Sequence, residues 1–183
     1  MSNLFQQLEI EAFRAGITPR TKQSMDWFRR KATQLGRVGK SIMNDEAVKL
    51  QTSMKDPVGN MYMFFYDPKH KKTLPYYDKF PLIIMIGPAK GGFYGLNLHY
   101  LPPTLRAVVL DNLLAEDNKE LAVKKVPNKY ITPMIKHYLT DHVKSRFALV
   151  DKPEWEIATF LPTAQFEKAS ASTVYTNSKR MIK

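Results

Sequence analysis

The chain has 183 residues, 44% of them hydrophobic, which is enough to bury a core without covalent staples. It contains no cysteine, which excludes disulfides and thiolate zinc sites, and no apolar run approaches the roughly 20 residues of a membrane-spanning helix. Lys and Arg number 28 against 17 Asp and Glu, giving a formal charge of +11 and a pI near 9.7. A surface of this sign draws polyanions through its field and through counterion release, nucleic acid first and acidic protein or lipid surfaces next. The basic excess is spread along the whole chain, and the opening residues lack the basic and apolar regions of a secretory signal.

Residues 1–16 read as a short helix using Leu4, Leu8 and Phe13, punctuated by Gly16 and Pro19. From Thr21, the residues Met25, Phe28, Ala32 and Leu35 recur at spacings of three and four, one face of a second helix that Gly36 and Gly39 end. A third short helix over 41–50 turns Ile42, Ala47 and Leu50 inward, and polar residues 52–60 lead into the most apolar part of the chain. Residues 1–60 are thus expected as a helical amino-terminal arm, and 61–183 as an α+β core domain with an extended carboxy-terminal tail.

That apolar stretch is 61–103. Three runs rich in aromatic and β-branched residues, each bounded by Pro, Gly, Asp or Asn, predict a three-stranded antiparallel meander. In the third run, alternation favours Tyr94, Leu96, Leu98 and Tyr100 as the core face over Phe93, Gly95, Asn97 and His99. The loop between the first two runs, 68–79, is too long for a two-residue hairpin turn, and Pro75 and Pro81 forbid ladder pairing through it. Pro102-Pro103-Thr104 opens a helix with Leu105, Val108, Val109 and Leu113 as its stripe. Thr132-Pro133 is expected to open the longest helix, in which Ile135, Leu139, Val143 and Phe147 repeat every four residues. Residues 155–161 read as a fourth strand, Pro162-Thr163 as the start of a short helix, and 170–183 as a Ser- and Thr-rich tail. Grouped strands predict an α+β fold: a small antiparallel meander or partly open barrel of about four strands, packed with helices.

Candidate sites are few. Residues 34–41, Gln-Leu-Gly-Arg-Val-Gly-Lys-Ser, approach a phosphate-binding loop, but Gln34 stands where the first glycine is needed and a helix precedes it, so a helix cap and turn is the better reading. His137 and His142 are five apart, one more than two ligands on a helical face require, and neither His70 nor His99 has a carboxylate at ligand spacing. No cofactor or metal is therefore expected. Asp67, Asp78 and Asp111 would have to converge to hold Mg²⁺ in a nuclease, and turn chemistry explains the first two more simply. The basic loop is the strongest candidate: Lys69, Lys71 and Lys72 with Tyr76 and Tyr77 combine phosphate-seeking charge with stacking faces. Lys124 and Lys125 form a second cluster, extended by Lys129, and Arg29, Arg30 and Lys31 a third.

The run Met61-Tyr62-Met63-Phe64-Phe65-Tyr66-Asp67-Pro68-Lys69, with Thr73-Leu74-Pro75-Tyr76-Tyr77-Asp78-Lys79-Phe80-Pro81-Leu82 and Gly92-Phe93-Tyr94-Gly95-Leu96-Asn97-Leu98-His99-Tyr100-Leu101-Pro102-Pro103, resembles a virion-protein family of T-even-type contractile-tailed bacteriophages. Residues 155–162 and 174–180 are similar to that family's carboxy-terminal part. Some members are described as DNA end protectors, which implies a non-enzymatic protein at the end of packaged DNA, with no catalytic residue to carry over. The expected setting is the virion, reached through the host cytoplasm during assembly. The expected partners are duplex DNA ends and other phage structural proteins, in a multi-subunit assembly and away from membranes. Two alternatives stay open: a structural tail, neck or baseplate protein whose lysines meet acidic protein partners, and a small Mg²⁺-dependent nuclease using Asp67 and Asp78.

Overall fold

The computed structural model describes residues 2–36 and 38–182. In chain order the elements are helices α1 (Leu4–Arg14), α2 (Lys22–Gln34) and α3 (Val38–Asn44), then strands β1 (Leu50–Gln51), β2 (Met61–Met63), β3 (Tyr77–Asp78), β4 (Leu82–Ala89) and β5 (Gly92–Asn97). Helices α4 (Pro103–Leu114), α5 (Lys119–Lys125) and α6 (Asn128–Met134) come next, then strands β6 (Ile135–Leu139) and β7 (Phe147–Val150). Helix α7 (Trp155–Phe160), strand β8 (Phe166–Glu167) and helix α8 (Ala171–Met181) complete the order. The fold is α+β.

The expected meander β2-β4-β5 is the centre of a six-stranded antiparallel sheet of order β1-β7-β2-β4-β5-β6, and β3 pairs with β8 in a separate two-stranded sheet. The large sheet is buried on both faces. Met61, Met63, Leu82, Ile84 and Leu96 face a layer built from Phe5, Leu8, Phe28, Val109, Leu113 and Ile157. The intervening residues Tyr62, Phe64, Ile83 and Met85 face the other way, into a cluster with Phe93, Tyr138 and Phe147. Phe64 is the hub of that cluster, edge-on to Tyr138 at 5.3 Å and to Phe147 at 5.2 Å between ring centroids.

This aromatic cluster records how far the sheet curls. Phe147 on β7 and Phe93 on β5 are separated by β2 and β4, about 14 Å in a flat sheet, yet their rings lie 5.8 Å apart. A register shift between Met85 and Gly87 supplies part of the twist. At Gly92 a Cβ would overlap the Tyr138 carbonyl, so glycine is what lets β6 approach β5 there. The β6 end of the sheet curls back to the chain leaving β2, without closing a barrel, where the Tyr66 hydroxyl accepts from Leu139 N at 3.0 Å and Tyr66 bridges Val143 ahead of β7.

The amino-terminal helices start at capping boxes, Asn3 with Gln6 and Thr21 with Ser24. They lie on α7: Asn3 Nδ2 donates to Glu154 Oε1 at 2.9 Å, and the Glu156 carboxylate accepts from Ser24 Oγ and Arg20 N. Phe5, Leu8 and Ala12 turn inward on α1, whereas Phe13, expected in its stripe, is 84% exposed.

Several local expectations are corrected. Residues 132–150 are not a long helix. Pro133 sits near the end of α6, and β6, a 3₁₀ turn and β7 follow. A repeat of four residues is also two periods of a strand, so the Ile135, Leu139, Val143, Phe147 spacing did not discriminate. Residues 155–160 form α7 rather than a strand, and all six are buried, which removes the helical polar face and leaves a composition that mimics a strand. The third strand of the meander ends at Asn97 in a 3₁₀ turn over 98–100; Leu96, Leu98 and Tyr100 are buried as expected, but Phe93 is buried and Tyr94 is 40% exposed, the reverse of the faces expected for those two. The helix expected after Pro162 is instead β8, and the Ser- and Thr-rich tail holds α8, capped by Ser170 through Thr173 N with Val174 and Ser178 inward.

Candidate nucleic-acid interface

Tyr77 and Asp78 of loop 67–79 pair with β8, a short ladder against the expectation from the prolines, and the rest of its backbone is fixed in other ways. Tyr66 N donates to Lys79 O at 3.0 Å and closes the base of the loop. Asp67 N donates to His142 O at 3.0 Å while His142 Nδ1 donates to Asp67 O at 2.8 Å. At the far side Lys168 Nζ donates to Lys72 O at 3.0 Å and to Leu74 O at 2.8 Å. The side chains of Lys69, Lys71 and Lys72 remain exposed on this tied backbone. Lys71 Nζ lies 2.9 and 3.0 Å from the two Asp67 carboxylate oxygens. That hydrogen bond holds the Asp67 carboxyl below its ordinary range and the Lys71 ammonium above its own. Lys69 and Lys72 take part in no ion pair among the described residues.

Between this loop, β6 and the end of α8 lies a cleft of about 690 Å³. Its floor is aromatic, with Tyr66, Tyr100 and Tyr138 nearly buried, and Tyr76 stands against Tyr100 with ring centroids 6.0 Å apart. Lys69 and His70 border it on one side and Lys136 and His137 on the other. Lys136 is half-buried; its Nζ sits 4.0 Å from the Tyr100 ring centroid and donates to Pro133 O at 2.8 Å. No described carboxylate pairs with it, and burial pulls its ammonium down to about 8. Burial also pushes the Tyr100 hydroxyl well up, so it stays neutral.

Beneath the floor runs a buried polar network. Asp78, 3% exposed, accepts from His99 Nδ1 at 2.7 Å, Asn97 Nδ2 at 3.1 Å, Phe80 N at 3.0 Å and Gln165 N at 3.0 Å. With its Nδ1 proton given to Asp78, the His99 ring accepts at Nε2 from Thr163 Oγ1 at 2.9 Å. Arg106 donates to the carbonyls of Leu101, Thr159 and His99 and to the Tyr175 hydroxyl. Burial lowers the pKa of the His99 imidazole; at Asp78 burial would raise the carboxyl, but His99 first, and then the donors of Asn97 and Gln165, outweigh it and hold the carboxyl below its usual range. The Thr163, His99, Asp78 line has the connectivity of a hydrolytic triad, but its side chains are at most 3% exposed, so it acts as a strut beneath the cleft.

A model of the family described as phage T4 terminal DNA protecting protein matches residues 5–182. The chain belongs to that family. No curated protein and no solved structure matches it.

The terminal DNA protecting family sets the remaining basic clusters in context. Arg29 and Arg30 are exposed on α2 and line a shallow groove with Lys22, Gln23 and Asp26, while Lys31 pairs with Glu11 at 2.9 Å and lies over Trp27. Lys124 and Lys125 end α5, with Lys125 Nζ 2.6 Å from Glu116 and Lys124 exposed. The cleft draws only on the first of the three predicted clusters. The three candidate nuclease carboxylates do not converge. Asp67 is paired with Lys71, Asp78 is sealed, and Asp111 lies on α4 opposite Arg20 at 3.5 Å. Among the described residues no three His, Asp or Glu side chains gather at metal-binding distance. Gly36, in the phosphate-loop-like segment, has φ +69°, the left-handed cap that a helix end favours, and Arg37 lies outside the described residues.

Sequence reasoning missed Lys136, His137 and the contribution of α8. The helix expected over 132–150 hid the first two. The signal available was Pro133 followed by alternation of Ile135 and His137 with Lys136 and Tyr138, a strand pattern.

Proposed function

We propose that this protein binds the ends of linear duplex DNA through the face formed by loop 67–79 and shields them without cutting them. The observation that carries this reading is the pairing state of the lysines. Lys31, Lys71, Lys79 and Lys125 are engaged by carboxylates, whereas Lys69 and Lys72 stand exposed beside a cleft bordered by His70, Lys136 and His137. Charge left unpaired on a rigid loop is what phosphate contacts require. Tyr76 and Tyr77 supply stacking faces at the same place, and Arg29, Arg30 and Lys124, exposed outside this face, provide further contacts along the duplex.

On this reading the protein acts in the virion as part of a multi-subunit assembly, and is made and assembled in the host cytoplasm. Other phage structural proteins would meet it at α1, where Ile10 and Phe13 are 46% and 84% exposed on one side of the helix. No helix among the described residues is long and apolar enough to cross a membrane.

The test is binding to a linear duplex and to the covalently closed circle of the same sequence, over a salt series with and without Mg²⁺. Preference for the linear form, with both forms recovered uncut, is expected. The double variant Lys69→Glu, Lys72→Glu should bind more weakly and lower the log–log salt slope by about 2, close to one for each lysine withdrawn from a phosphate. An unchanged slope would remove the loop from the interface.

A further inference from the structure

We propose that the cleft between loop 67–79 and β6 receives the terminal nucleotide of a DNA strand, its base against Tyr76 and its phosphate between Lys69 and Lys136. This inference deepens the end-binding reading and rests on it. A volume of about 690 Å³ lies in the range of small-molecule pockets, which run from about 300 to 1,000 Å³. It suits one nucleotide and is too small for a base-paired segment. A strand end offers the nucleotide that leaves the stack at least cost, since it is stacked on one side and its backbone continues in one direction only, whereas an interior nucleotide must be extruded with backbone held on both sides. The cleft is thereby a device that tells an end from the interior of a duplex.

The lining fits that occupant group by group. Tyr76 is half-buried and backed by Tyr100, a platform for the flat face of a base. Lys136 has three N–H donors and gives one to Pro133 O, and it has no carboxylate partner among the described residues. Lys69 on the opposite border adds charge of the same sign, while Asp78, the one acidic residue of the lining among the described residues, has its carboxylate engaged by four donors. Among the described residues no Asn, Gln or Arg lines the cleft, and with Lys69 and Lys136 given to the phosphate the base is held mainly by stacking, which tolerates any base.

The experiment places 2-aminopurine either at the strand terminus or at an interior position of a linear duplex, with the covalently closed circle as competitor. For the native protein the terminal probe is expected to quench on binding and the interior probe to stay unchanged, with the linear form preferred about tenfold, as one base stack allows. Tyr76→Leu and Lys136→Gln should each keep cooperative melting and weaken binding of the linear form far more than binding of the circle, losing most of the linear preference. A native protein that prefers linear DNA but leaves the terminal probe unquenched, or variants that keep the full preference, would overturn the pocket and leave end binding standing. Equal affinity for linear and circular DNA would overturn end binding itself. Should a variant fail to melt cooperatively, a deoxynucleoside 5′-monophosphate titrated against the native complex decides instead. Release of the terminal probe supports the pocket, and no competition at millimolar nucleotide overturns it.

Discussion

Asp78 and Lys136 line the same cleft, yet the fold surrounds them differently. The Asp78 carboxylate takes four hydrogen bonds, two from side chains and two from backbone, and its neighbour His99 is held in place on both ring nitrogens. The Lys136 ammonium has one neutral carbonyl and the face of Tyr100. A buried charge whose partners are complete is architecture, since removing any one of them strands the others. A charge that is partly desolvated and incompletely bonded contributes little to the fold, and its place at a cleft marks it as a ligand group.

The comparison is broken most directly at Asp78. Asp78→Ala strands His99 Nδ1, Asn97 Nδ2 and two backbone N–H groups, and should cost about 3–5 kcal/mol in urea unfolding. For a chain of this size that corresponds to a melting temperature roughly 10 °C lower. A loss under about 1 kcal/mol would show that the network is not the strut beneath the cleft.

A smaller effect comes from pH. His99 is neutral in the folded protein because burial lowers its pKa, while in the unfolded chain it titrates near 6.5. Below about pH 6.5 the unfolded state therefore binds the extra proton, and stability falls as pH drops toward the folded pKa. Asp78 acts further into acid: its carboxyl is depressed, so its contribution is present above the unfolded value near 3.9 and is lost as pH falls through the folded pKa. His99→Gln should flatten the decline in melting temperature between pH 7 and 5, and an equally steep decline in the variant would assign it elsewhere.

The smallest loss of stability is expected at Lys136, which sharpens the contrast. Lys136→Met should lose no stability in urea unfolding at pH 7 and should gain some, because the ammonium it removes is one that burial disfavours. Because burial lowers the folded pKa to about 8 against an unfolded value near 10.4, the unfolded state binds more protons between them. Native stability should then rise relative to the variant as pH climbs from 8 toward 9.5, below the range where unfolded tyrosines ionise. A falling difference would mean that Lys136 has an anionic partner in the folded chain.

Much of the central sheet was legible because its strands are short, apolar and fenced by turn residues. Met61–Met63, Leu82–Ala89 and Gly92–Asn97 sit where the sequence pattern puts them. The exposure of the loop lysines was legible for a related reason, since the prolines around them leave little regular structure to absorb them, whereas the pairing of Tyr77 in β3 with β8 was not. What failed was periodicity under complete burial. Helix α7 has no polar face to betray its turn, and the four-residue repeat from Ile135 to Phe147 serves helix and strand equally. Half of the cleft disappeared with that misreading, because Lys136 reaches Tyr100 only when β6 is a strand beside β5. The pairing of Asp78 with His99 spans 21 residues and that of His99 with Thr163 spans 64, distances at which no local pattern exists to be seen.

Tyr66 has a consequence for the kinetics of association. Its backbone N–H closes loop 67–79 at Lys79, and its hydroxyl takes the N–H of Leu139, three residues beyond Lys136. One residue, through its backbone and its hydroxyl, therefore ties both walls of the cleft together before any partner arrives, reinforced by the Asp67–His142 pair beside it. Little conformational entropy is left to lose on encounter, so capture should occur in one concentration-dependent phase, with no slower rearrangement behind it. Tyr66→Phe, which lacks only the hydroxyl, would free the walls to move apart and should expose a second phase that does not depend on concentration.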